Sequence, residues 1–340
     1  MRKMLNTLYV MTPESYLTKD SEDIVISVKQ QETFRIPIIN IEQIVMFGYM
    51  GASPGAMKLC ADHGVSLTFL SPNGRFVSRC EGPVHGNVLL RKAQYKASED
   101  ENISHNLNKL FISGKIRNYQ SIVSRFTRDY GMTDELQETI QKLNEYKRLA
   151  LQSDNDASLR GIEGEAASTY FGIFPSLIVQ QKSDFPFHGR NRRPPKDAVN
   201  AMLSFAYTLI CNDVVAALDT VGLDPYVGFF HTLRPGRPSL ALDMMEEFRA
   251  YLGDRFVLSL INRHQVSKSD FKAQGEEGII MTDSCRRNFI KAWQSRKRDT
   301  ITHPFLGDKI ELGLLPYAQA MLLARYLRND MNDYPVFLIK

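Results

Sequence analysis

The stretch LRGIEGEAASTYFGIF, residues 159 to 174, has helical spacing but places a carboxylate where that helix should be apolar. At 100° per residue, Leu159, Ile162, Ala166, Ala167, Tyr170 and Phe174 gather into one stripe, and Glu163 falls inside it. Glu165 projects to the opposite side with Gly161 and Gly164. An unpaired buried carboxylate is costly, so Glu163 needs a partner. In DMMEEF, 243 to 248, Asp243 and Glu246 stand three apart, and on a helix they share a side about one turn apart. Just upstream, VGFFHTLRPGRPSLAL has His231 closing an apolar run at the start of a Pro/Gly-rich loop. These are the parts of a divalent-metal site. A donor set rich in oxygen, with one His and no Cys, favours Mg²⁺ or Mn²⁺ over zinc. The residues alone leave other readings open. Glu163 can pair with a buried Arg or cap a neighbouring helix, His231 can be a hydrogen-bonded packing residue, and Asp243 and Glu246 can form a solvated face.

Two basic clusters suit a polyanion. HGRNRRPPK, 188 to 196, sets Arg190, Arg192, Arg193 and Lys196 on a Pro-stiffened loop before a helix. RRNFIKAWQSRKR, 286 to 298, has six basic residues, no acid and a central Trp293, and offers Arg286, Arg287, Lys291 and Arg296. Both clusters can neutralise phosphates, and the indole can stack on a base or simply pack. A solvated basic helix face has the same composition.

The elements that must position these groups change character near residue 85. TLYVM, IVISV, TFRIPI, EQIVMF, VSLTFLS and GRFVSRC are β-branched and aromatic runs with turn residues between many of them. One helix interrupts at SPGAMKLCADHG, with Ser53 as N-cap and Pro54 in its first position. Residues 1–85 thus read as a small β-sandwich. EGPVHGN marks the boundary, 86–100 hold a linker and first helix, and 101–340 form a larger all-α catalytic domain, giving an α+β chain. The helices expected are 88–97, one ending at Gly131, one opening at Thr133, the 159–174 stretch, about 196–218, 239–263, 283–297 and 311–329. A hairpin is expected at KAQGEEGIIM.

At 340 residues the chain can hold two real cores. Its longest strongly apolar run, Ala198 to Asn212, is 15 residues against the roughly 20 of a membrane span, so a buried helix is expected and no membrane. The start MRKMLNTLYVMTPESYL has no sustained apolar region, and Cys60, Cys80, Cys211 and Cys285 are scattered, which fits reduced thiols in a cytoplasmic protein. The net charge of +4 lies wholly beyond residue 85, because the first 85 residues balance eight basic against eight acidic side chains. No P-loop, dinucleotide-binding, nucleophile-elbow or H-E-x-x-H signature competes with the acid and histidine set.

LRGIEGEAASTYF, then GRNRRPPKDAVNAMLSFAYTLI, then VGFFHTLRPGRPSLALDMMEEFR resembles the CRISPR-associated adaptation endonuclease/integrase family, most of all the members that accompany type I-C systems. The resemblance runs from the strand-rich start through GNVLLRKAQYKA to YPVFLIK. It implies a β-sandwich, a flexible linker and a helical domain with one divalent metal held by Glu163, His231 and Glu246, with Asp243 the neighbouring acid. Either acid remains a candidate for direct coordination. It also implies homodimers joined by a small ferredoxin-like second adaptation subunit, inserting DNA fragments into a CRISPR repeat by attack of a 3′-hydroxyl on a phosphodiester. The alternatives are a non-catalytic DNA-binding scaffold of the same fold and a phosphodiesterase for small substrates. The wheel gives a direct test. Glu163→Ala should abolish divalent-metal binding in a calorimetric titration while Glu165→Ala leaves it within a few-fold; the reverse result would mean that the helix phase is wrong.

Overall fold

Seven strands, one more than expected, build the first part of the chain. In the computed structural model, which describes residues 7–339 apart from 13, 73–75, 81, 83–87, 192–193 and 276–277, they form two sheets. The first has the order β1 (Thr7–Val10), β5 (Gln43–Phe47), β6 (Ser66–Leu70) and β7 (Phe76–Cys80), with β1, β5 and β6 parallel and β7 antiparallel. The parallel step from β5 to β6 needs a crossover, which helix α1 (Pro54–Asp62) supplies. Ser53 caps α1 by accepting from Ala56 N–H at 3.2 Å, with Pro54 in the first turn, as expected. The second sheet is an antiparallel meander of β2 (Ser15–Asp20), β3 (Asp23–Val28) and β4 (Gln31–Pro37). Val10, Ile44, Met46 and Leu67 of one sheet and Leu17, Ile24 and Ile26 of the other share one apolar core, the sandwich arrangement. β2 escapes a sequence reading because SYLTKD buries a single large apolar side chain, Leu17, so its alternation carries almost no hydrophobic signal.

The remaining chain is mostly helical: α2 (Val88–Glu99), α3 (Glu101–Tyr130), α4 (Asp134–Leu151), α5 (Asp156–Leu177), α6 (Ala198–Val221), α7 (Ser239–Phe248), α8 (Arg255–Asn262), α9 (Asp283–Lys297) and α10 (Leu315–Leu327). It is not all-α. β8 (Phe271–Gln274) pairs with β9 (Gly278–Met281) where the hairpin was expected, and β10 (Thr300–Thr302) pairs with β11 (Lys309–Glu311) where none was. The expected helix over 239–263 is broken into α7 and α8 by a π-helical turn, Arg249–Asp254. The boundary segment EGPVHGN lies almost wholly outside the described residues. Just beyond it, α2 is a packed helix, not a free linker: Gln94 reaches the carbonyls of Asp224 and Val227, both at 2.8 Å.

Helix α3 runs through the middle of this part and packs on α2, α4, α5 and α7. α6 is long and apolar enough to cross a membrane, but 78% of its most apolar window is buried inside the fold, where it packs on α7 and α10. The strand-rich part joins the same core through Tyr9, Val45, Phe47 and Leu70, and Arg79 pairs with Asp219 of α6 at 3.1 Å. The C-terminal segment lies across α3. Gly114 permits this, because a Cβ there would stand 2.5 Å from Val336 Cγ2. Asn118 of α3 donates to the carbonyls of Glu247 (2.8 Å) and Phe337 (2.9 Å) and accepts from Ile339 N–H (2.9 Å). One buried amide therefore ties α3, the end of α7 and the C-terminal segment together. Asn118→Ala would strand these backbone groups and should cost about 2–4 kcal/mol in urea unfolding; a loss below about 0.5 kcal/mol would show that the tie carries little.

Candidate active site

Glu163 lies where the wheel put it. α5 buries Leu159, Ala166, Tyr170 and Phe174, turns Glu165 to solvent and leaves Glu163 about a quarter exposed, 27% by side chain. Its partner is neither an arginine nor a helix end. It is Lys115 of α3, whose ammonium bonds Glu163 Oε1 and stands 2.8 Å from Glu246 Oε2. Burial of Glu163 therefore does not by itself call for a metal. Lys115 is only 3% exposed and lies over the ring of Tyr119, which stacks on Tyr170 of α5 at 3.9 Å. Glu246 is more deeply buried and has a second cation, Arg249, 2.9 Å from its Oε1. Burial would raise the Glu246 pKa, but Arg249, Lys115 and the nearby His231 outweigh it and hold the carboxyl at about 2. It stays ionised at any working pH. Arg249 opens the π-helical turn that follows α7 and lies against the Tyr207 ring, 5.0 Å from its centre.

Asp243 has a different task from Glu246. It is fully buried and accepts the backbone N–H groups of Phe229 (2.6 Å), Phe230 (3.1 Å) and His231 (2.9 Å), and it bonds His231 Nδ1 at 2.6 Å. Both oxygens are thus committed to the 229–231 segment, so Asp243, offered from sequence as a catalytic acid or helper, holds the loop and the His231 ring in place. An irregular loop must satisfy its backbone groups one by one, and this loop does so on three helices. Asn108 of α3 donates to Phe229 O at 3.2 Å, Arg160 of α5 to Phe230 O at 2.6 Å, and Pro225 O accepts the first amides of α7. Gly228 is required by close approach, since a Cβ there would lie 2.5 Å from Asp243 Oδ2 and 2.7 Å from Leu240 N. With Nδ1 bound to Asp243, the His231 ring keeps Nε2 for a ligand.

Two carboxylates therefore converge on one cation, with an imidazole held beside them. Among the described residues, no three His, Cys, Asp or Glu side chains are assembled closely enough to hold a metal ion as they stand. The chemistry of the donors nevertheless fits one. Glu163 and Glu246 meet at a point already occupied by positive charge, and among the described residues Glu246 Oε2 accepts no hydrogen bond despite the ammonium beside it.

The basic clusters are largely turned to internal use. Arg190 bonds Asn191 O, Asn200 Oδ1 (2.7 Å) and Ser204 Oγ (3.0 Å) and lies against Tyr207, so it clamps its loop to α6. Arg192 and Arg193 lie outside the described residues, and Lys196 is exposed. In α9, Arg286 is buried and pairs with Asp283, Arg296 pairs with Asp299, and Trp293 is buried against Phe256. That indole packs in the core and offers no face to a base. Arg287 and Lys291 remain exposed, four apart on one side of α9. Lys115, Arg249 and Arg160 were missed from sequence. Lys115 had a signal, since it interrupts the buried stripe Phe111, Ile112, Ile116, Tyr119 as Glu163 interrupts its own.

The model of the family described as CRISPR associated protein Cas1 matches residues 8–295. The chain belongs to the Cas1 family. It is 47% identical to a CRISPR-associated endonuclease Cas1 of Chlorobaculum tepidum, over 99% of both chains. Among solved structures, a casposase bound to integration product superposes on 97% of this chain and 93% of its own with a TM-score of 0.83 at 22% identity. A Cas6-RT-Cas1–Cas2 complex superposes on all of this chain and 37% of its own, with a TM-score of 0.86 and 22% identity. At that identity the likeness is one of fold, and it spans both the strand-rich and the helical parts of this Cas1-family chain.

The close approach at Gly228 sets the loop that carries His231. Gly228→Ala should destabilise the chain by about 2–3 kcal/mol in denaturant unfolding. Gly164→Ala, whose added Cβ meets nothing within 4 Å on the exposed side of α5, should instead gain about 0.5–1 kcal/mol. Equal effects would mean that the loop yields freely.

Proposed function

We propose that this chain is a divalent-metal-dependent DNA endonuclease and integrase that inserts short DNA fragments into a CRISPR array. The observation that carries the reading is the meeting of Glu163 and Glu246, from separate helices, beside a histidine whose Nδ1 is fixed by Asp243. Its membership of the Cas1 family, and a relative named as an endonuclease at 47% identity over nearly its whole length, support the activity. The neighbour of like fold that is bound to an integration product supports strand transfer as the second outcome of the same site.

Glu163, Glu246 and His231 Nε2 would hold one Mg²⁺ or Mn²⁺. Such an ion polarises a phosphoryl oxygen and offsets charge on the attacking and leaving oxygens of an in-line displacement. The rest falls to the protein. Asp243 holds the imidazole in the tautomer with Nδ1–H, leaving the Nε2 lone pair available. Arg249 keeps Glu246 ionised and oriented. Attack by a fragment's 3′-hydroxyl on a phosphodiester of the repeat forms the new P–O bond and displaces the repeat strand's own 3′-oxygen, which leaves as a hydroxyl. Attack by water in its place gives hydrolysis.

The partners follow from the same family reading. DNA is the substrate, and among the described residues Lys196, Arg287, Lys291 and Arg298 are the exposed cations of the two clusters. Residues 1–85 serve homodimer and partner contacts, and 101–340 carry the chemistry. A small ferredoxin-like subunit, of the kind named Cas2 in the neighbouring complex, joins two dimers. The motifs from LRGIEGEAASTYF to DMMEEFR favour a type I-C affiliation. Free Cys60, Cys80, Cys211 and Cys285 suit the cytoplasm.

His231→Ala and the pair Arg287→Ala with Lys291→Ala should behave as opposites. The first should lower nicking and strand transfer in Mn²⁺ by orders of magnitude while DNA retention on a gel hardly changes. The second should weaken binding to all sequences and flatten the log–log salt dependence by up to about two counterions. Equal losses of binding and chemistry in His231→Ala would take the imidazole out of the metal site, and unchanged chemistry would move the site elsewhere.

A further inference from the structure

The acid pair of the site carries no net negative charge to attract an ion. Glu163 and Glu246 contribute two negative charges, while Lys115 and Arg249, both bonded to them, contribute two positive ones. Asp243, held by the 229–231 amides and by His231, adds a third negative charge, and Arg160, bonded to the Phe230 carbonyl of the same segment, adds a third positive one, so the balance still closes. Nor can the ammonium easily leave. Lys115 is 3% exposed on the buried face of α3, between the fully buried Ile112 and Ile116 and over the Tyr119 ring.

A divalent cation added to such a neutral, largely buried cluster leaves two positive charges there. The anions able to offset them are the phosphates of DNA. We propose that Lys115 couples the two ligands: it keeps divalent-metal affinity low in the free protein and lets the ion bind tightly only together with DNA. The proposal rests on the metal site assigned to Glu163, Glu246 and His231. Linkage makes the coupling reciprocal, so the ion strengthens DNA binding by the same factor that DNA strengthens ion binding. A site of this kind assembles its charge balance from both ligands and stays poorly loaded until its substrate is present.

The test is Mn²⁺ affinity of the full-length protein, measured by calorimetry alone and with a duplex ending in 3′-dideoxy nucleotides. In the natural chain, DNA should tighten Mn²⁺ binding by tenfold or more; a change below about threefold overturns the coupling. Lys115→Met removes one positive charge. At a separation of about 6 Å even the dielectric of bulk water makes that worth roughly tenfold for a divalent ion. K115M should therefore bind Mn²⁺ about tenfold more tightly without DNA, and its response to DNA should shrink to a few-fold. Weaker or unchanged Mn²⁺ binding by folded K115M overturns the proposal, because it would make Lys115 only a structural prop. Where circular dichroism shows K115M unfolded, Lys115→Gln and the comparison on the natural chain decide in its place. E163Q separates the two levels of the argument. If it binds Mn²⁺ as well as the natural chain does, the metal assignment itself falls; if it loses Mn²⁺ while K115M behaves as the natural chain, only the coupling falls.

Discussion

An ammonium buried at the crossing of three helices costs several kcal/mol unless opposite charge meets it, and Lys115 is met from two directions. α3 brings the lysine, α5 brings Glu163, and the last turn of α7 brings Glu246 with Arg249 behind it. Each helix has to hold its rotation for the contacts to survive, since one residue of slip turns a side chain by about 100°. The rings beneath the charges help to fix that rotation. Tyr119 and Tyr170 stack between α3 and α5, and Tyr207 of α6 supports Arg249 from the other side. The apolar core is therefore what makes the polar cluster geometric, holding four charged groups on separate elements in one arrangement.

The imidazole is placed by a different device. His231 sits on irregular backbone, which in most proteins is the less ordered part of a site. Here almost every group of the segment is tied down: amides on Asp243 of α7, carbonyls on Asn108 of α3 and Arg160 of α5, and the preceding turn on Gln94 of α2. Asp243 is thus the hinge between the two devices. It stands one turn from Glu246 on the same helix, so the acid that faces the cation and the acid that holds the histidine move together. Arg249 joins the same group, because it stands three residues after Glu246 and so falls on the same side of the chain before the π-helical turn leads into α8.

How far this was legible in the sequence depended on whether the signal was local. The phase of Glu163, the cap at Ser53, the end of α3 at Gly131 and the burial of α6 all follow from spacing within one element, and each stands as read. Strand β2 and the β10–β11 hairpin were missed because their few residues bury little apolar surface. The roles of Asp243 and Glu246 could not be separated, since both readings satisfy the same i, i+3 spacing and only the neighbouring helices distinguish them. The internal contacts of Arg190, Arg286 and Arg296 were not legible for a related reason. Composition counts cations, whereas Asn200, Asp283 and Asp299 decide which way the side chains turn.

A buried ionic cluster is poor evidence of stability, because apolar side chains of similar size commonly fold as well or better in its place. The surroundings here would accept such a replacement: Tyr119, Tyr170, Phe111 and Ile116 already line the crossing with apolar surface. Coiled-coil registry does not explain the charges either, since the stacked tyrosines and the Asn118 tie already fix α3 against its neighbours. What the charges supply, and hydrocarbon would not, is a pair of carboxylates from separate helices held against one cation, with an imidazole fixed beside them. Partial exposure is confined to Glu163 and His231, while Lys115, Glu246 and Asp243 are buried behind them. A cluster that opens on the side of two candidate ligands, and is braced by countercharge and backbone amides on the other, is organised around what enters from solvent.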